Sequence, residues 1–195
     1  MRKVPSLLFS ILLFTAPALA DGVLDKIMSP FDKERLANFQ KTEAEALSQA
    51  LRGDPAEVEV LTAALSGKPL PMDGDFDATG KWRCRVIKAG GDDMLPLVVY
   101  GWFKCRITDD GSGWFVEKIS GSQRLTGRLY TRSATELVFL GAGHVNDDPP
   151  RKYGEDAEQD QVAIVTRRGK DKLVFEFPAP KFESKLDVMV MDRGK

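Results

Sequence analysis

Two cysteines and one histidine are all that this 195-residue chain holds of the side chains that most often build metal centres and nucleophilic sites. A zinc framework wants four nitrogen or sulfur ligands, so Cys84, Cys105 and His144 cannot make one unless carboxylates fill in. There is no Gly-x-Ser-x-Gly elbow, no His-Glu-x-x-His pair and no phosphate-cradling glycine loop. Nothing calls for a cofactor or a metal. His144, beside Gly143 near a strand end, reads as a structural imidazole, although paired carboxylates could still do acid–base work without any motif. An enzyme is therefore disfavoured rather than excluded.

Charge of one sign is equally scarce. Against 28 basic residues stand 29 acidic ones, for a net charge of −1, which excludes a general nucleic-acid binder. Long apolar runs are missing too. The one over residues 7–14 is roughly half the ~20 residues that span a bilayer. It follows Arg2 and Lys3 and precedes Ala18-Leu19-Ala20, the pattern of a signal peptide cut after Ala20. Loss of Arg2 and Lys3 takes the net charge two units lower, to −3. No cysteine follows the cut, which argues against a lipid-anchored lipoprotein. The expected product is periplasmic or secreted and not an integral membrane protein. In such an oxidising compartment, two cysteines are most simply one disulfide, Cys84 to Cys105.

What is present divides at about residue 80. From Ser29 the pattern is helical: Ser29-Pro30 with Asp32 makes a start signal, and Leu36, Phe39, Leu47 and Leu51 recur at helical spacing up to Gly53. Asp54-Pro55-Ala56-Glu57 repeats the start as a capping box, and Val58, Leu61 and Leu65 form a stripe ending at Gly67. Two amphipathic helices are expected. A Pro- and Asp-rich connector follows, in which Asp73-Gly74-Asp75-Phe76-Asp77 imitates a calcium loop, but Ala78 and Cys84 stand where that loop needs Gly and Glu. Past Gly80 the period becomes two, with strands expected near 81–88, 97–108, 114–120, 123–130, 136–143, 161–167, 173–177 and 185–191. Short turns join antiparallel neighbours, and closure removes exposed edges. The chain thus reads as a leader (1–20), a helical segment with linker (21–79) and an eight-stranded antiparallel up-and-down barrel (80–195), with a β-sandwich as the alternative. The acidic loop over 146–160 reads as a solvated excursion in preference to a lid.

Strand parity puts Trp82, Cys84 and Val86 on one face of the first strand, and Val99, Gly101, Phe103, Cys105 and Ile107 on one face of the second. If Cys84 stands opposite Cys105, the turn centre falls between Met94 and Leu95, where the polar connection lies. The same register sets Arg83 opposite Arg106 and Arg85 opposite Lys104, an unfavourable crowd of cations. Either carboxylates such as Glu117, Glu136 or those of the helices cover it, or it is an anion site for phosphate, a lipid headgroup or an acidic partner. Arg124 joins this candidate set. Tyr100 and Trp102 share the parity of the cationic face and could form an aromatic platform beside it.

Gly80-x-Trp82 opening a meander resembles the start of lipocalin-type (calycin) barrels. Gly80-Lys-Trp-Arg-Cys-Arg85, Tyr100-Gly-Trp-Phe-Lys-Cys-Arg-Ile107, Lys118-Ile-Ser-Gly-Ser-Gln-Arg124, Gly127-Arg-Leu-Tyr130, Phe139-Leu-Gly141 and Pro178-Ala-Pro-Lys-Phe-Glu-Ser184 resemble a family of exported proteobacterial proteins classed as a domain of unknown function. That resemblance implies export and the disulfide, and brings no activity. Three readings follow: a binding module for a small or anionic ligand, a periplasmic interaction protein docking a protein or lipid, and an enzyme of unrecognised type.

Overall fold

The computed structural model describes residues 21–72, 76–91 and 95–194. The leader over 1–20, residues 73–75 of the calcium-like segment and residues 92–94 of the first strand connection lie outside the described residues.

Among the described residues four helices come first: α1 (Asp21–Ile27), α2 (Pro30–Ala37), α3 (Phe39–Ala50) and α4 (Pro55–Leu65). The start signals act as read. Ser29 Oγ accepts the Asp32 N–H at 3.1 Å with Pro30 in the first turn, and the Asp54 carboxylate accepts the Ala56 N–H at 2.8 Å. The expected first helix is divided, however. Asn38 leaves helical geometry at φ −92°, ψ 7°, and its side-chain amide returns to the Glu34 carbonyl at 3.1 Å, the local competition that makes Asn a helix terminator. Leu51, counted in the apolar stripe, is exposed, and α3 packs through Ala46 and Ala50. Glu57 does not complete a capping box but reaches across to accept the Val99 N–H at 3.2 Å.

Eight antiparallel strands follow: β1 (Gly80–Ala89), β2 (Leu97–Asp109), β3 (Trp114–Lys118), β4 (Gln123–Thr131), β5 (Glu136–Val145), β6 (Asp160–Gly169), β7 (Lys172–Pro178) and β8 (Leu186–Asp192). Each pairs with the next, and β8 returns to β1, so the sheet is a closed up-and-down barrel and not a sandwich. Inside, Trp82, Cys84, Cys105, Ile107, Val116, Phe139, Phe175 and Met191 form the core. Gly127 and Gly141 face one another across β4 and β5. A Cβ on either would come within 2.4 Å and 2.2 Å, respectively, of a backbone carbonyl oxygen, and the Phe139 ring fills the space beside them.

Outside, α3 and α4 cover Ile87, Ala89, Leu97, Val174, Leu186 and Val188. The first helices cover Val138, Leu140 and Val162. The outward residues of the first half of β1 and the second half of β2 belong to neither cluster. The 146–159 loop is mostly exposed and is tied to α2 at one point: the Tyr153 hydroxyl donates to Asp32 and accepts the Ser29 N–H at 3.0 Å.

Cys84 and Cys105 form a disulfide within the barrel, their Cα atoms 5.8 Å apart. They are diagonal neighbours, not direct partners: Trp82 stands opposite Cys105, and Cys84 opposite Phe103. This diagonal is short enough for the bond, so the disulfide alone left the register open by two residues. The shift preserves parity and changes the facing charges. Arg83 now meets Lys104, Lys81 meets Arg106, and Arg85 meets Trp102.

A second correction lies further along the same pair of strands. Arg85 pairs with Trp102 and Ile87 with Val99, so two steps on β1 are matched by three on β2. The extra residue is a β-bulge at Tyr100–Gly101, which reverses side-chain parity. Phe103 and Cys105 point inward while Leu97 and Val99 point outward under the helices. Tyr100 consequently faces the barrel opening instead of sharing a face with Trp102.

Candidate functional site at the barrel mouth

Val86 and Lys88 at the end of β1, Lys118 at the end of β3, Gln161 at the start of β6, Phe177 at the end of β7, and Asp187 and Met189 at the start of β8 converge on one end of the barrel. With Tyr100, Phe103 and Leu125 they enclose a cavity of about 380 Å³, within the range of small-molecule sites. Its floor is the apolar core. Its wall carries three inward ionisable groups, Lys88, Lys118 and Asp187, each sharing the inward parity of a core residue two positions away: Val86, Val116 and Met189.

Lys118 is the most unusual of these. Its residue is only 4% exposed, its ammonium donates to the Ser120 carbonyl at 3.0 Å and to that of Gln123, and it lies 4.0 Å from the centre of the Phe103 ring. Among the described residues it pairs with no carboxylate. Burial, then the positive charges of Arg124 and Lys88, push its amine down to about 8. Lys88 is matched. It forms an ion pair with Glu183 from the β7–β8 loop and lies 3.8 Å from Asp187, its partner across the β1–β8 ladder. Burial opposes its charge, but these two carboxylates outweigh that and hold the amine above its ordinary value. Burial raises Asp187, with Lys88 and the Ser184 hydroxyl acting the other way.

The rim adds Arg124, whose guanidinium donates to the Gly121 carbonyl and, at 3.0 Å, to Asp147, and His144, whose buried Nδ1 has no hydrogen-bond partner among the described residues. A buried imidazole nitrogen left open beside a cavity is an unmet polar position. The arrangement can therefore hold an anion and bury an apolar body behind it.

The other sequence-derived candidates lie elsewhere. Arg83, Arg85, Lys104 and Arg106 are on the outer face, with the Arg83 and Arg85 guanidinium carbons 4.3 and 4.6 Å from the centre of the Trp102 ring. Of the expected compensating carboxylates, Glu117 is present, bonded to Arg106 Nε at 2.8 Å; Asp192, which was not among them, takes Arg83 at 3.5 Å. Glu136 pairs with Arg132, and among the described residues no helix carboxylate pairs with the patch. The structure thus brings four of the five candidate cations together and sends Arg124 to the mouth. Glu176, raised to about 7 by burial, also lies apart, on the outer face of β7 beside Arg168.

The far end of the barrel is closed differently. The connector carries Phe76 edge-on against Trp114 at 5.8 Å, and Trp82 Nε1 donates to the Ala78 carbonyl at 2.9 Å. A cavity of about 460 Å³ there is lined by Met72, Trp114, Leu129 and Leu137, with Asp109 the single ionisable side chain among the described residues.

Fold and mouth together define a class: a closed, eight-stranded up-and-down barrel, filled through its middle and carrying an ionisable, part-apolar cavity at one end. The chain belongs to the DUF4893 family, described as a domain of unknown function, whose family model matches residues 25–191. No curated protein and no solved structure matches it. No helix among the described residues is long and apolar enough to cross a membrane.

Proposed function

We propose that this chain is an exported binding module whose barrel mouth takes up a small amphipathic anion. The apolar part lies against Phe103, Leu125, Phe177 and Met189, and the acid group meets Lys118. The observation that carries this reading is Lys118 itself: a lysine turned into an apolar cavity, surrounded by positive charge and carbonyl oxygens. A cation in that position is costly to bury, and a ligand anion supplies the counter-charge that the fold withholds. The leader-like N-terminus and the disulfide support a periplasmic or secreted setting.

The test is competition against bound anilinonaphthalene sulfonate, a fluorescent aromatic anion. Dodecanoate is expected to displace it, and dodecanol, with the same chain and no charge, to compete at least tenfold less well, the scale of one charge-assisted hydrogen bond. Equal competition by the two would remove the anion from the proposal.

The bare outer face supports a second reading, in which Trp102 and its flanking arginines dock a lipid or protein surface. Its support is the aromatic–guanidinium stack, a polar, planar contact surface of the kind found at interfaces. Two of the four cations there already have carboxylate partners, so the mouth is the stronger site.

A further inference from the structure

Part of the mouth is occupied by the protein's own chain. The β7–β8 loop brings Pro180, Lys181, Phe182 and Glu183 into the cavity wall, and Glu183 places its carboxylate on Lys88. Two features show that this placement is held against local preference. Ala179 at φ 43° and Glu183 at φ 75° both occupy the left-handed region, although neither is glycine. Phe182, next to Glu183, is 55% exposed, so apolar burial does not hold the loop down. Its ties to the barrel are polar, among them the Ser184 hydroxyl on Asp187 at 2.5 Å, Lys181 on Glu158, and a long contact of 3.5 Å between Gln123 Nε2 and Glu183.

We propose that the Glu183 carboxylate is a built-in stand-in for the ligand's acid group. Lys88 is then a second anion anchor beside Lys118, and an incoming carboxylate, sulfonate or phosphate monoester displaces Glu183 and lifts the loop. This inference rests on the mouth being the binding site. Lys88 has two carboxylate neighbours, and only one can leave. Asp187 is fixed in the β1–β8 ladder, whereas Glu183 sits in a loop whose backbone relaxes on release. The exchange also conserves charge. Glu183 takes one carboxylate off Lys88 as the ligand brings one in, and Lys118 stays beside it without a carboxylate among the described residues.

A self-occupied site weakens apparent affinity by the fraction of time it stands open. Removing the internal competitor should therefore tighten binding, which a merely structural ion pair would not do. Titration with anilinonaphthalene sulfonate is expected to give Glu183→Gln a dissociation constant about fivefold lower than that of the unmodified protein. The same substitution in a Lys88→Gln background should give no gain, because the anchor that Glu183 blocks is gone. If the unmodified protein binds the probe and Glu183→Gln binds it equally or more weakly, the stand-in is overturned and the mouth reading survives. If neither protein takes up the probe, both fall.

Discussion

The two ends of this barrel are built from the same eight strands and are finished in opposite ways. At the far end the connector lays Phe76 against Trp114 and Ala78 under Trp82, and among the described residues one ionisable side chain, Asp109, lines the remaining space. At the mouth, Lys88, Lys118 and Asp187 point inward where the pattern of β1, β3 and β8 would otherwise continue as core. Apolar closure stabilises a fold, and buried charge costs it. The far end is therefore closed by apolar contact, and the mouth keeps a buried lysine, Lys118, that no carboxylate among the described residues meets.

The largest expected effect lies between the two ends, where the barrel is pinched. Gly141→Ala puts a methyl 2.2 Å from the Thr126 carbonyl oxygen, a backbone atom that cannot swing away. A loss of about 3 kcal/mol or more in denaturant unfolding is expected. A loss below 1 kcal/mol would mean that the β4–β5 pinch is not there.

A crossed pair of substitutions separates the ends. Phe76→Ala, which removes a half-buried ring from the plug, should cost about 2 kcal/mol of stability and leave probe affinity unchanged. Lys118→Met should weaken affinity about tenfold with the fold intact. The pH dependence sharpens the contrast. With the Lys118 amine near 8, binding is full at pH 7 and declines above about pH 8, where an exposed lysine would stay charged to about 10. The unfolded chain, with its ordinary lysine, holds the proton longer, so this group makes stability rise with pH between about 8 and 10.5. Phe76→Ala should keep the fall in affinity at alkaline pH, and Lys118→Met should lose it.

Much of the fold was legible because its signals are local. Period-two alternation, turn residues and the inward parity of Cys84 and Cys105 led to eight strands, their order and the disulfide. Two things were not local. The register of β1 against β2 depends on whether the disulfide joins direct or diagonal partners, and both have the same parity. The bulge at Tyr100–Gly101 leaves no mark beyond a glycine in a strand, so Tyr100 was assigned to the wrong face.

The mouth was missed for a related reason. Arginines crowd in sequence beside the cysteines, whereas the site gathers single charged residues from the ends of separate strands. A signal was available: Lys88 continues the series Trp82, Cys84, Val86, Lys118 follows Trp114 and Val116, and Asp187 precedes Met189 and Met191. An ionisable residue at the inward end of an apolar series marks where a barrel stops being core. Glu183 could not be found that way, since its place depends on how a loop folds back.

The most direct test of the mouth as binding site is an amide and methyl NMR titration with dodecanoate. The account requires shifts gathered at Val86, Phe103, Lys118, Leu125 and Met189, with the methyls of Leu129 and Leu137 at the far end and the Trp102 face unmoved. Shifts centred on Arg83, Trp102 and Arg85 would give the binding to the outer face instead. Shifts at neither place would contradict the claim that the inward lysines exist to meet an anion.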